Sequence, residues 1–410
     1  MKPILLLSVA FICVINSTSC KKSGGTVDPL PTTDSFTVSV NNGYGGNKYK
    51  AGDTVHIWSK EYSNSNQVFD SWSGDVALLN NNDWHAWFIM PNRNVSFTGS
   101  VKPINPFTLN YEQIRGRDRL KPVYYYFPAA HKGIVYLLHG TGGSAQQLSS
   151  QFETQQLIRE IVGDGFAVII TEAEEATTGV DVNANGKLQW ALSPADTLSN
   201  VDYVNIRNIT DTFYNRGTSS RSKPRYSIGM SNGGAFSAIL SYAYNFKAGI
   251  SYCAQSGSVL AAVSTVPLQF CMQRWDSNPD VGPAGNAMAL SNSQALTARG
   301  ICSKYFINEH SPLYPERFAR RSDISIAAST AVFNEMKAKG FLDTKNYFIN
   351  TSSTYSAAVL ATPAQYPAYL ALTLNQKLFV LEQIDCCYSD HQMFSDFSKL
   401  SLKFLNTQCL

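Results

Sequence analysis

The chain reads as an α/β protein with a mostly parallel sheet, preceded by a small β-rich unit, and three observations predict this. Short apolar runs alternate with segments of helical spacing from about residue 106 onward, the pattern of a parallel sheet covered by helices. Arg225-Tyr226-Ser227-Ile228-Gly229-Met230-Ser231-Asn232-Gly233-Gly234-Ala235-Phe236 reads as a strand, a sharp turn at Ser231 and a helix. Residues 36–102 show only strand-like alternation and turn signals. The chain has 410 residues, enough for more than one domain, and its charge is sparse and nearly balanced at +3. With no basic block, nucleic acid is not an expected partner.

Residues 1–19 have the form of a signal peptide. Lys2 supplies the positive start, and residues 4–15 are an apolar run too short to span a bilayer. Ser17-Thr18-Ser19-Cys20 then places small residues before a cysteine, and Cys20-Lys21-Lys22 leads into a Gly/Ser/Pro/Thr-rich tether to about residue 35. This resembles a bacterial lipobox. The resemblance implies lipidation of Cys20 and anchorage to the membrane at the cell envelope. Lipoboxes usually carry Leu where Ser17 stands, so plain cleavage and secretion stays open.

Residues 36–102 are expected to form a separate module, with strands at 36–40, 54–59, 67–72, 84–90 and 94–101. Ala51-Gly52-Asp53-Thr54-Val55, Phe69-Asp70-Ser71-Trp72-Ser73-Gly74-Asp75 and Phe88-Ile89-Met90-Pro91 resemble the divergent internalin-B-type repeat of bacterial surface proteins. That resemblance implies a β-grasp-like spacer or adhesion unit. Trp72, Trp84 and Trp87 read as the core of a small domain rather than as a sugar platform.

In the second domain, from residue 106 to 410, strands are expected at 123–127, 133–138 and 166–171, then before Ser231, then at 247–253 and 267–272. Helices are expected at 200–214 and 322–339, a last strand at 377–384 and a last helix at 391–405, with a divergent segment at 283–369. Ligands in such sheets bind at the carboxyl ends of strands. Three motifs fall at such ends or follow one closely.

Gly229 and Gly233 flank Ser231 in the pattern Gly-x-Ser-x-Gly, where larger side chains would clash as strand meets helix. His139-Gly140-Thr141-Gly142-Gly143 ends the strand at 133–138, and Asp390-His391 comes late. Together these look like an α/β-hydrolase, in the branch of secreted polyhydroxybutyrate-depolymerase-like and feruloyl-esterase-like enzymes. The helix beginning Asn200-Val201-Asp202-Tyr203-Val204 also resembles the segment before the serine turn in that branch.

An alcohol is a poor nucleophile at neutral pH, so Ser231 needs a neighbouring base. His391 is the candidate, because the order Ser, Asp, His is the order of this fold. His56, His85, His131 and His310 sit less well in the pattern, and His139 reads as support for the glycine-rich loop. The oxyanion donors are expected to be the N–H groups of Thr141 and Asn232. The glycine-rich loop lacks the Lys-Ser/Thr ending of a nucleotide site. The acid is expected to be Asp276, four residues past the strand at 267–272. Asp280 stays open, since Val281 follows it and this family often has a valine close after the acid.

Six cysteines besides Cys13 and Cys20 suggest disulfides outside the cytoplasm, and Cys271 is expected to pair with Cys386 or Cys387, joining the acid loop to the base loop. No spacing of Cys or His suggests zinc, and no cofactor is expected. The expected activity is a serine esterase acting on a carboxylic ester, of the polyester or esterified-glycan type. A peptidase of the same fold and a non-catalytic binding protein are the rival classes.

Overall fold

The computed structural model describes residues 35–60 and 66–409. The signal peptide, Cys20 and nearly all of the tether lie outside the described residues. Seven strands come first: β1 Ser35–Asn41, β2 Gly43–Tyr44, β3 Asn47–Lys50, β4 Thr54–Ser59, β5 Gln67–Gly74, β6 His85–Ile89 and β7 Val95–Pro103. They form two small sheets, ordered β3-β1-β7-β5 and β2-β4-β6. Pairing is antiparallel except between β1 and β7. In β7, Val95, Phe97 and Gly99 point inward while Ser96 and Ser100 face water, the period-2 pattern of a sheet covered on one side. Trp58, Trp72 and Trp84 lie in the core between the sheets, and Trp87 is half-buried. Tyr314 from much later in the chain joins this core.

The main sheet has eight strands: β8 Asn110–Arg115, β9 Leu120–Tyr126, β10 Ile134–Leu138, β11 Ala167–Thr171, β12 Arg225–Met230, β13 Ala248–Tyr252, β14 Leu268–Gln273 and β15 Ser303–Asn308. Their order is β15-β14-β13-β12-β10-β11-β9-β8. The strands from β11 to β15 run parallel, while β9 is antiparallel to both β11 and β8. Every residue of β10, β11, β13 and β14 is buried, because helices cover both faces. Alternate residues of β10 feed opposite cores: Val135 and Leu137 join one, Ile134, Tyr136 and Leu138 the other. The chain enters β10 between β11 and β12, so the strand order reverses there. A crevice opens at such a reversal, outside the carboxyl ends of the strands.

The structure corrects the sequence reading in three places. The segment expected as the last strand is part of the helix Leu374–Tyr388. Thr373 and Gln376 form a reciprocal cap at its start, and Phe379, Val380, Ile384 and Cys387 line its buried side. The edge of the sheet is instead taken by β15, from within the divergent segment. The last helix is Ser398–Thr407, so His391 lies on the loop before it and does not open a helix.

The expected disulfide is also replaced. Cys302 pairs with Cys409, with Cα atoms 5.5 Å apart, while Cys253, Cys271, Cys386 and Cys387 are free and buried. Cys386 and Cys387 are neighbours on a helix and point into different cores, Cys386 into the one that also holds Cys271. The bond that forms staples the end of the last helix to the start of β15.

Candidate active site

Ser231 follows β12 with φ 56° and ψ −127°, outside the usual regions for a non-glycine residue, and the helix Asn232–Ala243 starts immediately after it. Such backbone costs on the order of 1–3 kcal/mol and persists only where the surroundings enforce it. Here the Ser231 N–H donates to the Tyr252 carbonyl at 2.8 Å, and Gly234 and Ala235 donate back to the Ser231 carbonyl. Gly229 and Gly233 are needed for room, not for φ. A Cβ on Gly229 would overlap the Gly233 carbonyl, and one on Gly233 would overlap the carbonyls of Leu138 and His139.

His391 Nε2 lies 2.9 Å from Ser231 Oγ, and His391 Nδ1 lies 2.8 Å from Asp276 Oδ2. The structure thus brings Ser231, His391 and Asp276 into one hydrogen-bonded line. The Asp276 side chain is closed to solvent, and its other oxygen accepts from Asn278 N at 2.9 Å. Asp280 is not part of this line: it is exposed and pairs with Lys187 Nζ at 2.6 Å. Three hydrogen bonds lace the acid loop to the base loop. Arg274 N donates to Ser389 Oγ at 2.6 Å, Trp275 N to the Ser389 carbonyl at 2.9 Å, and Ser277 N to Asp390 Oδ1 at 2.7 Å. Asp390 Oδ1 also accepts from His391 N at 2.7 Å. These bonds do the work expected of a disulfide.

An eight-stranded sheet with its second strand antiparallel, and a strained serine between the fifth strand and the following helix, decide the architecture. This is the α/β-hydrolase fold.

Within it, the hydrolase sheet supplies the glycine-rich loop directly after β10. Ala173 N donates to His139 Nε2 at 3.0 Å, so His139 carries its proton on Nδ1 and donates to the Gly140 carbonyl at 2.7 Å. Burial lowers the His139 pKa and keeps the ring neutral. Gly142 N donates to the Leu188 carbonyl at 2.7 Å and Gly143 N to the Gly140 carbonyl at 3.1 Å. The N–H groups of Thr141 and Asn232 donate to no acceptor among the described residues. Both residues line a cavity of about 730 Å³ that also contains Ser231. Leu192, Ala235, Ile239, Val281 and Met288 line the same cavity, as do Gln189, Gln255 and Asn278.

Trp190 was not singled out by the sequence. Its N–H accepts no role in a helix or strand but donates to Asn232 Oδ1 at 2.7 Å, and its Nε1 donates to the His139 carbonyl at 2.9 Å. Its ring stacks on Phe236 at 4.7 Å. It therefore ties the glycine-rich loop to the start of the helix after Ser231. Asp390 was noted only as the neighbour of His391.

Cys253 Sγ, an Asp276 oxygen and a His391 nitrogen lie within 4.8 Å of one another. This set does not fit a metal. Burial pushes the Cys253 thiol well up, disfavouring the thiolate a metal needs, and both His391 nitrogens already have partners.

No family model and no curated protein matches the chain. Solved structures do resemble it. A dienelactone hydrolase from Anabaena variabilis is 12% identical with a TM-score of 0.38, over 50% of this chain and 87% of that one. A ferulic acid esterase is 9% identical with a TM-score of 0.38, over 49% and 89%. An acylaminoacyl peptidase from Pyrococcus horikoshii is 12% identical with a TM-score of 0.36, over 65% and 50%. Values this low bring none of those proteins' activities to this chain.

Proposed function

We propose that the chain is a serine hydrolase that cleaves carboxylic esters through an acyl-enzyme on Ser231. The observation that carries this reading is the line Ser231–His391–Asp276 beside a cavity lined by Thr141 and Asn232, whose backbone N–H groups have no acceptor among the described residues. Ser231 Oγ attacks the ester carbonyl carbon as His391 Nε2 takes the hydroxyl proton. The carbonyl oxygen becomes an oxyanion between the N–H groups of Thr141 and Asn232. One such donor is typically worth about 3 kcal/mol of barrier. Collapse breaks the C–O bond, and His391 returns the proton to the leaving alcohol. Water then attacks the acyl group with His391 again as base, releasing the acid and restoring the Ser231 hydroxyl. Asp276 holds His391 with its proton on Nδ1 and stabilises the imidazolium that forms.

The aliphatic lining of the cavity supports an ester with an apolar acyl or alcohol part, from a polyester or an esterified glycan. Lipidation of Cys20 would hold the enzyme on the bacterial envelope, facing a substrate outside the cell. A fluorophosphonate probe should label the wild type and not Ser231→Ala. A panel of p-nitrophenyl esters of rising chain length, run beside feruloyl, acetyl-xylan and peptide substrates, should show ester turnover that Ser231→Ala abolishes. Unchanged turnover in that variant would remove the serine mechanism, and peptide cleavage in place of ester cleavage would make the chain a peptidase.

A further inference from the structure

Asp83 and Trp84 immediately precede β6 and His85 is its first residue, and all three are buried. Their side chains all reach one short stretch, Ser395 to Lys399, which begins four positions after His391. Trp84 Nε1 donates to the Ser395 carbonyl at 3.1 Å. His85 Nδ1 lies 2.5 Å from Asp396 Oδ1, and its Nε2 lies 3.0 Å from His56 Nδ1, which fixes the ring from behind. Asp83 Oδ2 accepts from Lys399 N at 2.8 Å, and Asp83 Oδ1 from Ser398 Oγ at 3.3 Å. The helix Ser398–Thr407 has no side-chain cap from its own N-cap residue, Phe397, so the cap comes from the N-terminal module.

The same stretch is held from the other side. Ser395 N and Oγ donate to Glu153 Oε2 at 2.9 and 2.5 Å. Glu153 pairs with Arg320 at 2.7 Å, and the Arg320 guanidinium stacks over the Trp84 ring at 4.0 Å. A generic domain contact would touch exposed side chains. Here Trp84 and Asp83 reach the backbone of Ser395 and Lys399, while His85 and Asp83 reach the buried side chains of Asp396 and Ser398.

We propose that Asp83, Trp84 and His85 are positioning residues for His391, so that the N-terminal module and the hydrolase sheet form one catalytic unit. The proposal rests on the Ser231–His391 mechanism above. The clamp seats the end of the base loop, and with Asp390 at its beginning it leaves His391 little freedom to move off Ser231. Misplacing a reacting group by about 1 Å can cost about 10²-fold in rate, so small shifts of this loop matter.

The test uses the full chain. Trp84→Phe keeps an aromatic ring beside Arg320 and removes the indole N–H together with part of the ring, so the melting temperature reports the lost packing separately. His85→Ala removes the bond to Asp396, and His85→Asn offers an amide N–H near the position of Nδ1. kcat and KM on a p-nitrophenyl ester are measured beside the melting temperature. Trp84→Phe and His85→Ala should each lower kcat on the order of tenfold with KM within about twofold, and His85→Asn should recover most of the loss. A lowered melting temperature with kcat within about twofold of wild type would make the clamp a docking contact alone and overturn the proposal. So would a rise in KM at unchanged kcat. If His85→Ala does not fold, Trp84→Phe decides. Ser231→Ala, run in parallel, separates the two readings: turnover retained there rejects the serine mechanism. Turnover lost there, beside normal kcat in Trp84→Phe, rejects only the clamp.

Discussion

Ser231 keeps a backbone conformation that costs free energy because three neighbours leave it no other: the Tyr252 carbonyl, the first turn of its helix, and the close passage of Gly229 past Gly233. Gly229→Ala should therefore be worse than an ordinary helix or strand substitution. The new methyl meets backbone, which cannot move aside as a side chain can, so we expect loss of turnover together with a lowered melting temperature. For the acid the expectation is chemical. Asp276→Asn leaves the fold intact and removes the group that fixes the His391 proton, and the same change in a serine protease costs about 10⁴ in kcat. Asp280→Asn alters an exposed pair with Lys187 at the wall of the same cavity, and such pairs are worth at most about 1 kcal/mol, so KM can shift while kcat should stay far above that of Asp276→Asn. A near-normal Asp276→Asn beside a crippled Asp280→Asn would reverse the assignment. Ser231 and His391 were legible because motif and chain order constrain them strongly. Asp276 was legible from its distance past a strand. Trp190 was not, because it lies in an irregular stretch whose hydrogen bonds are all tertiary.

At the scale of elements, the strands next to the serine were readable as apolar runs bounded by turns. The C-terminal third was not. Phe379-Val380-Leu381 is a short apolar run that suits a buried strand as well as a helix. The deciding signal was the cap Thr373-x-x-Gln376 just upstream, and β15 itself shows no clean alternation of exposure. The link between acid and base loops proved to be hydrogen bonds centred on Ser389 and Asp390. Asp390→Ala would leave two N–H groups in part-buried hydrogen bonds, those of Ser277 and His391, without their carboxylate acceptor. Each such loss costs about 1–3 kcal/mol, and we expect kcat to fall on the order of 10-fold or more while the protein stays folded. Circular dichroism with steady-state kinetics checks this. The Cys302–Cys409 bond closes a loop with a sequence separation of 107 residues. In the chain-entropy account a loop of that length contributes about 4–5 kcal/mol, so Cys409→Ser should lower the melting temperature clearly, and a reductant should do the same to the wild type. A variant with an unchanged melting temperature would show that the staple adds nothing.

Across the whole molecule, the sequence showed two regions but not how they meet. A resemblance implied a spacer or adhesion unit for the N-terminal strands, while alternation and turn signals report on a module's own core and carry no information about what its buried polar residues face. Asp83 and His85 looked like unremarkable polar positions, yet both are buried against the hydrolase part. Attachment to the envelope is a separate expectation, carried by Cys20. Cys20→Ser should move the protein from the membrane fraction to the soluble one, and an intact mass of the mature N-terminus without lipid would exclude the anchor. The joint between the two regions also bears on how such a chain can evolve. A bead on a flexible string can be exchanged for another by recombination at the linker. This module cannot be traded away so freely, since its removal strands Asp396 and uncaps the first turn of the final helix. Any ancestor that acquired it had to co-adapt both sides of the seam, and descendants should inherit the pair together or lose both.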